Sequence, residues 1–210
     1  MWRRVAGGGA VMPANKARLR EPNVMKLNLG CGLRKLEGYL NVDKFAECDP
    51  DFVADLELLP WPWEENSVDE VVMRHVLEHL GERNEIYLGI LKELYRVCRP
   101  GARITITVPH PNHDDYMTDP THVRPVTVDS FQLLSKSNCR EWQEKGIGNT
   151  PLGLYLDVDF EIVGTQIVLD EPWGTRHTEG TISEQDLAFA MRHHLNVIKE
   201  TTSTLTVVKN

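Results

Sequence analysis

An α/β fold built on a mostly parallel sheet is what this sequence predicts, and three features of its pattern carry the prediction. Short apolar or β-branched runs alternate with segments of helical period. The connections between runs are crossovers, which set neighbouring strands parallel. The early strands each stop at a glycine or a carboxylate, as strands of an open α/β sheet do where a ligand is bound. With 210 residues, 41% of them apolar and 26% charged, one soluble core is expected, and disordered, collagenous and membrane-embedded chains are excluded.

Residues 1–24 hold Gly7-Gly8-Gly9, Pro13 and five basic residues against Glu21 alone, without apolar periodicity, and are expected to form a flexible leader. Leu27 and Leu29 then lead into the turn Gly30-Cys31-Gly32. A second strand at 39–42 ends at Asp43, a third at 52–54 ends at Asp55, and a fourth covers 68–73. Over 82–98 the residues Ile86, Ile90, Leu91, Leu94 and Val97 recur at helical spacing, and Arg99-Pro100-Gly101 should stop that helix. The alternating, β-branched run 103–108 is a fifth strand. A polar stretch over 110–127 is too long for a simple connection and is a candidate functional loop. Thr127 should cap a helix to about residue 135, and 160–163 should be a sixth strand. Ser183 and Asp186 form a capping box for a last helix with Leu187, Met191 and Leu195 on one face, and 204–208 closes the chain as a strand.

The chain carries 23 Lys and Arg against 31 Asp and Glu, a net charge of −8, so no nucleic-acid partner is expected. No apolar run is long enough to span a bilayer, so no membrane partner is expected either. Cys31, Cys48, Cys98 and Cys139 lack C-x-x-C spacing and read as free thiols of a cytoplasmic protein.

Chemistry is expected just beyond the strand ends: Gly30, Cys31, Gly32, Asp43, Asp55, Arg74, His75 and the loop from His110. Two glycines let the backbone approach a ligand closely, and a carboxylate after the second strand can take both hydroxyls of a ribose. That is a layout for a nucleoside. A dinucleotide site would need a third glycine where Lys35 stands.

These residues resemble the class I S-adenosylmethionine-dependent methyltransferases, particularly their small type-11-like group. M-K-L-N-L-G-C-G (25–32) is similar to the family's first motif, G-Y-L-N-V-D (38–43) to its second and Ala54-Asp55-Leu56 to its third. S-V-D-E-V-V-M-R-H-V-L-E-H-L (67–80) is similar to the fourth strand and its loop, and L-Y-R-V-C-R-P-G-A-R (94–103) to the turn before the fifth. The resemblance implies a Rossmann-like, doubly wound, mostly parallel seven-stranded sheet with an antiparallel last strand. It implies one methyltransferase domain over 25–210, with 25–110 as the cofactor half and acceptor-side insertions over 110–180. S-adenosylmethionine would be the cofactor and S-adenosylhomocysteine the product. Asn28, Gly30, Cys31 and Gly32 would then lie along its methionine part, Asp43 on the ribose, Asp55 and Leu56 on the adenine, and Arg74 and His75 would close the methionine side. The pattern departs from the family at Arg34, where a third glycine is usual, and the short spacing from Gly32 to Asp43 implies a shortened first crossover helix. No N-P-P-Y or D-P-P-Y run follows the fourth strand, which argues against base-amino methylation.

Methyl transfer from a sulfonium chiefly needs an aligned acceptor, and a hydroxyl or amine acceptor also needs a general base. His110, His113 and His122 are the candidate catalytic residues, and Asp115 and Arg124 the candidate acceptor-binding ones; His79 and the D-P-T-H-V-R run (119–124) lie on the same side. No metal is assigned, because the histidine spacing matches no tight metal motif. The acceptor is expected to be a sugar or another small polar molecule. A noncatalytic cofactor-binding partner subunit, or a metal-dependent hydrolase on His110, His113 and His122, would give the same motifs; an open acceptor cavity distinguishes the enzyme from the first, and failure of the three histidines to converge excludes the second.

Overall fold

The computed structural model describes residues 24–209, so the expected leader lies outside it except for Val24. Seven strands, β1 (Lys26–Leu29), β2 (Leu40–Asp43), β3 (Phe52–Val53), β4 (Val68–Arg74), β5 (Cys98–Pro109), β6 (Phe160–Leu169) and β7 (Ile198–Val207), form one sheet. Their order is β3-β2-β1-β4-β5-β7-β6. The first five run parallel, and β7 lies antiparallel between β5 and β6. The expected Rossmann-like architecture with an antiparallel last strand is therefore the one observed. Helices α1 (Asn84–Val97), α2 (Asp114–Met117), α3 (Val128–Gln132), α4 (Lys136–Glu144), α5 (Leu152–Tyr155), α6 (Trp173–Thr178) and α7 (Glu184–His193) fill the connections. None of the helices is long and apolar enough to cross a membrane.

The core is the contact of α1 with the strands. Leu27, Leu29, Val71, Met73, Ile104 and Ile106 are at most 1% exposed, and Ile90, Leu91, Leu94 and Val97 of α1 are buried with them. At about 1.5–3 kcal/mol per buried aliphatic side chain, this layer dominates the stability. All four cysteines are free thiols. Burial pushes Cys98 up to about 12, which leaves it an inert core residue.

Several elements differ from expectation. No helix joins β1 to β2: residues 30–39 form turns only. The ten-residue span is too short for a helix and the reversals at its ends, and a polar network holds it instead. Asn28 donates through Nδ2 to Arg34 O and to Asn41 Oδ1, at 3.0 and 2.8 Å. The same Asn41 Oδ1 accepts from Leu36 N at 2.7 Å, and its Nδ2 donates to Asp51 Oδ2 at 2.7 Å. Arg99-Pro100-Gly101 does not separate helix from strand, because β5 begins at Cys98, directly after α1. β6 and β7 extend far beyond the predicted 160–163 and 204–208, pairing from Phe160 opposite Val207 to Leu169 opposite Ile198. Their added residues include the exposed Ile167 and Val168 and a run of threonines, so burial gives no clear alternation there. Leu195, expected on the buried face of the last helix, lies beyond its end and is exposed.

Trp61 and Trp63 are buried edge to face against each other, with centroids 5.7 Å apart. Behind them Glu93 of α1 accepts from Trp61 N at 2.7 Å and from Arg96 Nε and Nη2 at 2.8 and 2.7 Å. The Arg96 guanidinium holds the Glu93 carboxyl below the usual carboxylate range. A depressed folded-state value means that this stabilisation is complete above about pH 4.3 and fades as pH falls through the folded value. Glu93→Gln is expected to lose about 1–3 kcal/mol at pH 7. Thermal melts should show the gap from the unsubstituted protein closing below about pH 4; a gap independent of pH would contradict the assignment.

Candidate active site

The sheet order reverses between β1 and β4, and a crevice opens beyond their carboxyl ends, as it does in open α/β sheets generally. Gly30 stands at this point with φ 66°, and a Cβ there would lie 2.4 Å from Val76 Cγ2. Both the left-handed backbone and the close approach require glycine. Gly32, at φ 51°, has nothing within 4 Å of where a Cβ would lie and leaves open space beside the turn.

A cavity of about 460 Å³ occupies that space, lined by Gly30, Gly32, Asp43, Asp55, Leu56 and His75, together with Lys44, Phe45, Ala54, Val76, His79, Leu80 and others. Its size is that of a small-molecule or cofactor site. Asp43, at the end of β2, accepts from Gly32 N at 2.8 Å through Oδ2 and from Phe45 N at 3.0 Å through Oδ1. A carboxylate has about four lone-pair positions, so two remain for a ligand's paired hydroxyls. Asp55 turns Oδ1 onto Glu57 N at 3.0 Å, and Trp61 Nε1 donates to Leu56 O at 2.9 Å, which anchors the segment that forms the apolar wall. Trp61 thus acts from the core behind Leu56.

A second cavity, of about 400 Å³, shares His75 and His79 with the first and is lined otherwise by charged and polar groups, among them Arg34, Arg74, Glu78, Asp115, Asp119, His122, Lys199 and Glu200. β7 is antiparallel, so its first residues reach the same edge of the sheet as the last residues of β4 and β5. Glu200 arrives there to meet His75 Nε2 at 3.0 Å and Arg74 at 3.7 Å, and Lys199 lies 3.7 Å from Asp115. His75 holds φ 54°, an uncommon conformation for a residue with a side chain, and is fixed by its N–H to Thr107 O at 2.8 Å. The carboxylate of Glu78, with that of Glu200, pushes the His75 imidazole above its ordinary value.

The model of a methyltransferase-domain family matches residues 7–106. Among solved structures, the chain is similar to an S-adenosylmethionine-dependent methyltransferase from Archaeoglobus fulgidus, at 20% identity and a TM-score of 0.56, over 87% of this chain and 86% of that one. It is similar to another from Methanosarcina mazei at 15% identity and a TM-score of 0.53, over 91% and 95%. A [4+2]-cyclase is similar at 14% identity and a TM-score of 0.51, over 90% and 76%. No curated protein sequence matches the chain. Residues 7–106 match a methyltransferase domain, and the fold is that of S-adenosylmethionine-dependent methyltransferases. The first cavity fits S-adenosylmethionine, the cofactor named for those neighbours: a two-glycine approach, a carboxylate with free lone pairs and an apolar wall.

Within this methyltransferase, Gly30, Gly32, Asp43, Asp55, Leu56 and His75 meet in the first cavity, whereas Arg74, Asp115 and His122 line the second. Asn28 lines neither; its amide is spent on Asn41 and Arg34 O, where it fixes the glycine loop. Cys31 is buried beside the loop with its N–H on Val42 O at 2.9 Å. His113 is buried, with Nε2 3.1 Å from Asp170 and Nδ1 accepting from Asp115 N at 3.0 Å, so it caps α2. His110 lies outside the cavity lining, with Nδ1 accepting from Asn112 N at 3.2 Å, and burial lowers its ordinary value. His110, His113 and His122 do not converge, which removes the basis for the hydrolase. Arg124 donates to Gly81 O at 2.7 Å and lies 4.0 Å over the ring of Tyr87, whose hydroxyl burial pushes up to about 12. It ties the D-P-T-H-V-R run to the start of α1.

Sequence reasoning missed Glu78, Lys199 and Glu200. Glu78 is fully buried, and an acid enclosed by apolar neighbours in V-L-E-H-L was its available signal. Lys199 and Glu200 carried none, since only the antiparallel pairing of β7 brings them to the site. Gly30→Ala is expected to destabilise the methyltransferase by at least about 1–3 kcal/mol, the order of a strained left-handed residue, and to weaken cofactor binding by displacing Val76. Chemical denaturation and calorimetric titration check the two effects; an alanine variant of unchanged stability would contradict the close approach.

Proposed function

We propose that this methyltransferase transfers a methyl group to a small polar acceptor, a sugar or a comparable hydroxyl- or amine-bearing molecule, bound in the second cavity. The supporting observation is the shared wall: a nucleoside-fitting cavity with an apolar side adjoins a cavity lined by charge, and His75 and His79 belong to both. An open acceptor cavity is what a noncatalytic partner subunit would lack.

In this reading Asp43 holds the ribose hydroxyls, Gly30 and Gly32 let the backbone approach the methionine part, and Asp55 and Leu56 bound the adenine. The bound cofactor supplies a methyl on a sulfonium that departs as a neutral thioether. What the chain contributes is alignment, which is worth up to about 7–11 kcal/mol. Arg34 and Arg74 orient the acceptor, with Asp115 at the far side. His79 and His122 each engage Nδ1 elsewhere, to Thr121 at 2.9 Å and to Tyr116 O at 2.7 Å, which leaves Nε2 of each free of those partners in the lining of the second cavity. The acceptor held in the second cavity would take up that methyl group, and Nε2 of His79 or His122 would take the acceptor's proton.

Calorimetric titration tests the cofactor half. Micromolar binding of S-adenosylmethionine, about −8 kcal/mol, is expected, with at least a tenfold loss in Asp43→Asn. Asp43→Ala is expected in addition to loosen the fold by about 1–3 kcal/mol, because it strands the amides of Gly32 and Phe45. Unchanged affinity in Asp43→Asn would overturn the placement. Transfer of labelled methyl to members of a sugar and small-hydroxyl panel tests the acceptor half; labelling confined to macromolecules would overturn it.

A further inference from the structure

We propose that Glu78, His79 and His122 bind a divalent transition-metal ion where the two cavities meet. One ligand atom from each residue lies within 4.8 Å of the other two. This inference rests on the assignment of the second cavity to the acceptor and deepens it, because the ion would hold the acceptor oxygen.

The carboxylate carries the argument. Glu78 is 0% exposed, and neither of its oxygens has a hydrogen-bond partner among the described residues. A buried carboxylate is a heavy desolvation burden unless a cation or a set of donors compensates it. His75 Nδ1 is 3.6 Å from Glu78 Oε1, beyond hydrogen-bond reach, and His75 Nε2 is engaged by Glu200.

The two imidazoles are set up as ligands. A carbonyl oxygen only accepts, so the 2.7 Å contact of His122 Nδ1 with Tyr116 O puts the ring proton on Nδ1 and the lone pair on Nε2. Thr121 Oγ1 gives its own hydrogen to Asp119 Oδ1 at 2.6 Å, so it accepts from His79 Nδ1 at 2.9 Å, and His79 has the same tautomer. Metal-binding histidines characteristically donate their other ring N–H to such outer partners. His122 Nε2 is 3.9 Å from Asp119 Oδ2, too far for that carboxylate to occupy it. Two imidazole nitrogens and one carboxylate, with further positions open to a cavity, are a donor set for Zn²⁺ or a similar ion. All three residues line the acceptor cavity, and His79 also borders the cofactor cavity. An acceptor hydroxyl on that ion would be acidified and held beside the cofactor's methyl group. The imidazoles would then serve by holding the ion.

The test uses the full chain stripped of metal with a chelator and titrated with Zn²⁺ by calorimetry, alongside Glu78→Gln and His122→Ala. One Zn²⁺ per chain with micromolar or tighter affinity is expected, weakened at least tenfold in each variant, with folding checked by thermal melting. Loading the unsubstituted protein with Co²⁺ gives a readout independent of the variants: its absorption should show nitrogen and oxygen ligands only. Absent or substoichiometric Zn²⁺ binding, undiminished binding in both folded variants, or a thiolate band in the Co²⁺ spectrum would each overturn the site. Titration with S-adenosylmethionine runs separately. Cofactor binding without Zn²⁺ binding sinks the ion site alone, and Zn²⁺ binding without cofactor binding sinks the reading of the cavities.

Discussion

The buried amide pair Asn28–Asn41 is the constraint on which the glycine loop and the first cavity depend. β1 and β2 are parallel neighbours, yet only ten residues join them and none is helical. Backbone groups in such a span have no helix to satisfy them, and buried polar groups without partners are destabilising. Asn28 and Asn41, each 4% exposed, supply the missing partners from inside the sheet. The loop they fix carries Gly30 and Gly32, and the strand that Asn41 belongs to ends at Asp43. The carboxylate then closes the arrangement by accepting from Gly32 N. Removing the helix and replacing it with side-chain amides leaves the crevice open on that side, with Leu33 and Leu36 at the surface instead of packed beneath a helix.

The second cavity is assembled on another principle. The residues of its wall come from the glycine loop, the end of β4 and the turn after it, the end of β5, α2 and the loop before α3, and the start of β7. What brings them together is the position of β7 between β5 and β6. An antiparallel strand there delivers its first residues to the edge where parallel strands deliver their last. Glu200 thereby meets His75 and Arg74, and Lys199 meets Asp115. The result is a cavity with both signs of charge in close balance, suited to a polar neutral or mixed-charge molecule, beside one with an apolar wall.

The D-P-T-H-V-R run shows how sequence and structure divide the work. Asp119 accepts from Thr121 N at 2.8 Å, as the turn chemistry of an aspartate before proline leads one to expect. That the same turn sets the tautomer of His79, and that Val123 N–H reaches back to Glu78 O at 2.9 Å, depends on the loop lying against the end of β4. Likewise the pairing of Arg124 with a carbonyl and the face of Tyr87 is a matter of what stands opposite it in space.

By itself the sequence determined the parallel half of the sheet, the buried face of α1, the glycine turn and the carboxylates after β2 and β3, because each is encoded by a local period or by a backbone conformation that few residues tolerate. It also carried the resemblance that points to the cofactor, through residues that lie close together along the chain. Tertiary structure alone decided that Asn28 serves the loop, that His113 caps a helix, that Glu78 is buried without a hydrogen-bond partner among the described residues and that β7 brings Glu200 to the site. Those roles are set by contacts between segments far apart in sequence, in which a side chain's chemistry is fixed by its neighbour in space, and no local pattern records which neighbour that is.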